Sequence, residues 1–167
     1  MGYVQNIRKE ILTDDTPFAG SFIDKKISEA GGFRFLKLSA SDTVRFSDLD
    51  EVTEGSGTYT LVKKCFVPCS AYGTVRIKFD ARVYPASYEW AVSIRSAVGS
   101  YEYEILSDSG GNCSYVTKIH DVDIHGGHAI LVYLRRTAPS GEPVAYLKNF
   151  YICCDYSVGD ISDVGGW

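Results

Sequence analysis

The sequence has no hydrophobic run long enough to cross a membrane, its longest apolar stretches, such as residues 129–134, being of strand length. A spanning helix is therefore excluded, and no membrane insertion is expected. An excess of positive charge is also lacking. Seventeen Lys and Arg stand against twenty-one Asp and Glu, for a net charge of −4. They are scattered among strands rather than gathered into a basic stripe, so phosphates have nowhere to be neutralised and no nucleic-acid partner is expected. The five cysteines are odd in number and irregular in spacing, which excludes a disulfide framework and fits a reducing compartment. The first ten residues lack the apolar centre of a signal peptide. Ile7 stands where a myristoylation signal beginning at Gly2 wants a hydroxyl. The expectation is a protein made in the cytoplasm without an export leader.

Catalytic signatures are equally scarce. No Gly-x-Ser-x-Gly elbow occurs, and Ser109-Gly110-Gly111-Asn112-Cys113 reads as a turn. His120, His125 and His128 with Cys113 form the one grouping that resembles a metal site. Only His125 and His128, three apart across Gly-Gly, are close enough by spacing alone, and two ligands do not make a zinc site. Cys65 and Cys69 lack the spacing of a zinc knuckle, and adjacent Cys153 and Cys154 must point to opposite faces of a strand. Glu102 with Glu104, and Asp121 with Asp123, share strand faces, whereas a glycosidase needs its two carboxyls across a cleft. The expectation is a protein with no metal, no cofactor and no enzymatic activity.

What the sequence has in quantity is Tyr, Phe and Gly: 12, 8 and 16 residues. Aromatic and β-branched residues broken by Gly and Ser turns favour an all-β fold. The clearest stretch is residues 73–84. Val75, Ile77, Phe79, Ala81 and Val83 alternate there with Arg76, Lys78, Asp80, Arg82 and Tyr84. A period of two over ten residues requires a strand with one buried and one wet face.

Residues 1–32 read as an N-terminal arm with helix-like and strand-like pieces, used for docking or assembly. A β-sandwich domain follows over 33–154, and 155–167 is a polar tail. Within the domain the expected strands are 33–38, 43–46, 58–67, 73–84, 88–95, 101–106, 114–124, 129–136 and 143–154. An acidic loop fills 48–57, residues 96–100 form a hairpin loop, and 107–112 form a Gly-rich turn. Eight or nine strands at about ten-residue spacing, with no βαβ alternation, read as an antiparallel sandwich or barrel.

The order of the segments is informative. Thr-Tyr-Thr running into Val-Lys-Lys is followed by Gly-Thr-Val-Arg-Ile-Lys-Phe-Asp. Then come Ala-Val-Ser-Ile-Arg…Val-Gly-Ser, His-Gly-Gly-His-Ala-Ile-Leu-Val-Tyr and Val-Ala-Tyr-Leu-Lys-Asn-Phe-Tyr-Ile. This order, over residues 58–154, resembles the jelly-roll β-sandwich domains of tail and other virion proteins from bacteriophages and prophages of Gram-positive bacteria. Ser96-Ala97 stands where that family has Asn-Gly in its hairpin, and His128 where it has Asp. The resemblance implies a single jelly-roll-like sandwich located in the virion. It also implies structural or host-surface-binding work, with other virion proteins and further copies of the chain as partners.

Two sets of candidate residues follow. Arg76, Lys78, Asp80 and Arg82, on the wet face of the central strand, are candidates for an assembly face. Tyr84, Tyr88, Trp90, Tyr101 and Tyr103 cluster in sequence around a turn and a hairpin. Rings beside Asp, Glu and Arg are the ingredients of a platform for a cell-surface glycan, though the same rings serve cross-strand packing equally well.

Overall fold

The alternation at 73–84 is realised as a 14-residue strand, Ala71–Tyr84, whose Val75, Ile77, Phe79, Ala81 and Val83 are all fully buried. The computed structural model describes residues 35–66, 71–85, 87–98, 100–125, 129–137 and 144–159. The proposed arm at 1–32, Cys69, His128 and the end of the tail lie outside the described residues. Nine strands follow in chain order: β1 (Phe35–Asp48), β2 (Val52–Glu54), β3 (Thr60–Phe66), β4 (Ala71–Tyr84), β5 (Glu89–Val98), β6 (Tyr101–Gly110), β7 (Val116–His125), β8 (Ala129–Thr137) and β9 (Val144–Gly159).

They form two sheets. The five-stranded sheet runs β2-β9-β1-β4-β7, with β9 also paired directly to β4, and the four-stranded sheet runs β3-β8-β5-β6. The pairs nest: β2 with β9, β3 with β8, β4 with β7, and β5 with β6. A chain folded in half and rolled up in this way is a jelly roll. Pairing is antiparallel throughout except where β1 meets β4 in parallel over Leu36–Ala71, Lys37–Tyr72 and Leu38–Gly73. There the backbones crowd. Gly73 has φ 118°, and any side chain at this position would collide with the Leu38 carbonyl.

Between the sheets lies one core built from the inward residues of both. It includes Trp90, Val92 and Ile94 of β5, Ile130, Val132 and Leu134 of β8, and Leu147, Phe150 and Ile152 of β9. Phe79 meets Trp90 edge-on, with ring centroids 6.3 Å apart and planes at 87°.

Several expected boundaries move. The short strands at 33–38 and 43–46 are one strand, β1, because residues 41–43 loop out against the single step from Cys154 to Cys153 on β9. β2 lies inside the acidic loop, paired with Ala145–Leu147 of β9. The hairpin is tighter than expected, since Ser96 and Ala97 are strand residues facing Tyr103 and Glu102. β6 runs through most of the Gly-rich turn. Gly110 is needed there for space, because a side chain on it would press into the Trp90 ring. The tail is strand as far as Gly159, held by the first part of β1.

Phe79→Ala should therefore cost about 3–5 kcal/mol. Chemical denaturation of the variant beside the parent measures it, and a loss below 1 kcal/mol would mean that the Phe79–Trp90 contact is not at the centre of the core.

Candidate functional site

The outer face of the five-stranded sheet is organised in cross-strand rows. Arg76 of β4 lies opposite Asp121 of β7 and grips it with two bonds, Nε to Oδ1 at 2.8 Å and Nη2 to Oδ2 at 2.9 Å. The looped-out segment of β1 brings Asp42 over the same row. Its Oδ1 accepts from Lys78 Nζ at 2.6 Å and from Arg76 Nη1 at 3.3 Å. The hydrogen bond from Lys78, then that from Arg76, holds the Asp42 carboxyl below its ordinary value of 3.8, and Arg76 does the same for Asp121. Asp42 in turn raises Lys78. Beside them Thr74 Oγ1 donates to Asp123 at 2.7 Å. Asp80 accepts from Thr117 Oγ1 and from Asn149 Nδ2, each at 2.7 Å. Asn149 is the extra residue of a bulge on β9 and takes φ 51°, a conformation that Asn tolerates well.

Further along β4, Arg82 sits between two rings, 3.9 Å from the Tyr146 centroid and 4.9 Å from that of Tyr115. Lys148 covers Tyr115 at 4.0 Å, and the Tyr115 hydroxyl donates to Glu51. Arg76, Lys78, Asp80 and Arg82 thus share one face as expected, and each is held by partners in its own chain. Asp42, Tyr115, Tyr146 and Asn149 complete the face. Periodicity gave no sign of them, because each is brought in by a loop, a bulge or a distant strand.

The five aromatic candidates are not brought together. Trp90 is fully buried between the sheets, its indole N–H directed at Asn112 Oδ1 at 3.4 Å, so it is a core residue and unavailable to a sugar. Tyr88 packs against the same core. Tyr84 and Tyr101 are well exposed, at 61% and 70%. Tyr88 immediately precedes β5, however, and Tyr101 pairs with Val98 at its far end. At about 3.3 Å per residue, that places them roughly 30 Å apart. Tyr103 is half-buried opposite Ser96. The platform fails because an antiparallel hairpin returns sequence neighbours to opposite ends of a long strand.

A different aromatic group stands on the outer face of the four-stranded sheet. The Tyr133 hydroxyl donates to Glu102, at 3.0 Å to the nearer oxygen, and Arg95 lies 4.5 Å from the Tyr133 ring centroid. Ser93 Oγ donates to Glu104 at 2.5 Å and accepts from Arg95 Nε at 3.2 Å. Burial and then Glu102 push the Tyr133 hydroxyl above its usual value. Glu102 and Glu104 are bound within one sheet face rather than set across a cleft, and Asp121 and Asp123 likewise.

The two open sides of the sandwich are each laced by charge. On one, Lys63 of β3, its side chain 1% exposed, bonds Asp48 at 2.6 Å and the Asp50 carbonyl at 2.8 Å. On the other, Asp108 of β6 takes His120 Nε2 at 2.8 Å and Lys118 Nζ at 3.3 Å, both from β7. Burial raises the Asp108 carboxyl, but the bonds from His120, the Ser109 N–H and Lys118 outweigh it and leave the group below 3.8. His120 is thus committed to Asp108 and stacks on Phe79, while Cys113 is exposed in a loop. His128 and the side chain of His125 lie outside the described residues, and no three candidate ligands come together among the described ones. Cys153 and Cys154 are both buried free thiols. Cys154 belongs to the core, where burial raises it to about 11, and Cys153 faces the Asp42–Arg76–Lys78 group.

No protein-family model matches this chain, and no curated protein matches it in sequence. Solved structures similar to it include the CBM22-1 xylan-binding domain of Xyn10C from Paenibacillus barcinonensis, at 10% identity and a TM-score of 0.44, covering 70% of this chain and 97% of that one. Another is the cowpea mosaic virus top component, an empty particle, at 13% identity and a TM-score of 0.38, covering 76% and 85%. A third is the C-terminal family 22 carbohydrate-binding module of Clostridium thermocellum Xyn10B, at 13% and 0.37, covering 74% and 87%. Likeness at this level carries no assignment of function.

Of the three aspartates with lowered values, Asp108 is the least exposed and should contribute most to the acid limb of stability. Their contribution is complete above 3.8 and is lost as the pH falls below it. The melting temperature should therefore drop below about pH 4, and Asp108→Asn should flatten part of that drop. Thermal melts of both proteins across the acid range test this, and identical acid limbs would deny Asp108 its role.

Proposed function

We propose that this chain is a non-enzymatic structural accessory protein of a bacteriophage virion, of the tail, fibre or capsid-decoration type. It acts by protein–protein assembly with copies of itself and with other virion proteins. The virion reading draws on the order of strand motifs over residues 58–154. The observation that carries assembly is the outer face of the five-stranded sheet. Its charged side chains are already held by one another, and apolar Val44 and Ile119 are left exposed on the same sheet. Docking a partner on such a face orders few further side chains, so less of the contact energy is spent on entropy.

One observation favours a second reading, a carbohydrate-binding module that attaches a virion or enzyme to a host cell-surface glycan. The Tyr133 ring lies beside Arg95, Glu102 and Glu104 in fixed hydrogen-bonding geometry. Apolar ring faces and adjacent fixed carboxylates are groups that sugars engage.

Particles purified from the strain that encodes the chain should contain it in fixed stoichiometry by quantitative mass spectrometry. Replacing Arg76 and Lys78 by Ala should lower that incorporation while moving the melting temperature by no more than about 2–4 °C, since exposed ion pairs contribute little to stability. Absence of the chain from particles overturns the first reading. Glycan-array binding abolished by Tyr133→Ala would then support the second.

A further inference from the structure

The longest unpaired backbone edge of the five-stranded sheet belongs to β7, which pairs with β4 on one side and, among the described residues, with no strand on the other. Natural sheets blunt such an edge with charges aimed into the approach path. In β7 the charges are turned back into the chain instead. Asp121 is held by Arg76, Asp123 by Thr74, and both Lys118 and His120 by Asp108, while Thr117 donates to Asp80. The exposed apolar residues of β7 are Ile119 at mid-strand, 55% exposed, and Val116, 41% exposed, while Thr117, Asp121 and Asp123 are exposed but already bonded within the chain.

We infer that two copies of this chain pair through β7 edge to edge, antiparallel about a two-fold axis at Ile119, to form a continuous sheet. This rests on the assembly reading and names the partner and the register. An antiparallel two-fold pairing that keeps each sheet face continuous sets residues of like parity opposite one another. Centred on Ile119, it places Ile119 against Ile119, Val116 against Val122, and Thr117 against Asp121. Lys118 and His120 come opposite each other, both already bonded to Asp108 of their own chain. Centred on Lys118 it would set Ile119 against Thr117, and centred on Asp121 against Asp123. Centred on His120 it would set Ile119 against Asp121. Apolar β-branched pairs directly opposite are favourable, and of these four registers the one centred on Ile119 sets Ile119 against an apolar residue, so it is selected.

Sedimentation velocity of the full chain over a concentration series should give a reversible monomer–dimer equilibrium. Ile119→Lys should weaken the dimer by at least about tenfold. Leu49→Lys, a change at an equally exposed apolar residue outside the strands, should leave it unaltered. In a Cys113→Ser background, Ile119→Cys should oxidise to a covalent dimer while Asp123→Cys should not, which reads the register even if Ile119→Lys fails to fold. A monomer at every concentration, a dimer indifferent to Ile119→Lys, or a dimer that Ile119→Cys does not cross-link overturns the inference. A monomeric chain still present in particles would remove this interface and leave the assembly reading standing.

Discussion

The pairing of β9 with β4 is the constraint on which the rest of this structure depends. β9 is the last described strand and the longest. Its first part lies between β4 and β2, from Tyr84 opposite Val144 to Arg76 opposite Cys153, and its second part carries β1. Without it, β2 has no sheet partner, and β1 keeps only three pairs with β4. Only when β9 has returned are Leu147, Phe150 and Ile152 available to close the core over Phe79 and Trp90. These contacts span most of the described chain. Pairing between such distant segments adds loop-closure entropy to the cost of forming the sheet, as nested antiparallel topologies require.

Two sheets pressed together still have open sides, and both are closed by ion pairs reaching from one sheet to the other. Lys63 is nearly inaccessible, and its two oxygen partners offset the loss of water that its ammonium suffers. The other side is more open and more polar. There Asp108 binds Lys118 and His120 of β7, the His120 ring stacks on Phe79, and the Lys118 ammonium lies 5.4 Å from the Trp90 ring centroid. Holding Lys118 and His120 inward turns these two side chains of β7 toward the other sheet.

Much of the architecture was legible because burial on one side of a pleated strand imposes a period of two. The inward set from Val75 to Val83 was read without error for that reason. The same rule failed for Trp90, whose neighbours Ala91, Val92, Ser93 and Ile94 are all buried, so that alternation vanishes and inward and outward residues look alike. It failed again for β1, where three looped-out residues break the period, and for β2, whose three residues are too few to carry one. The aromatic platform was inferred from nearness in sequence, which a hairpin of two ten-residue strands converts into distance.

Local sequence by itself determined the class of the protein, the central strand with its two faces, and the opposite pointing of Cys153 and Cys154. Each follows from the geometry of a single extended chain. Tertiary structure alone decided that Asp42 and Asp121 converge on Arg76, that Arg82 lies between Tyr115 and Tyr146, and that Ile119 stands exposed on a strand that, among the described residues, is paired on one side. Those outcomes depend on register between strands far apart in sequence, as with Asp80 and Asn149 at 69 residues and Thr43 and Asp155 at 112. No local pattern encodes such a register, because it is selected by the joint packing of both sheets rather than by any one segment.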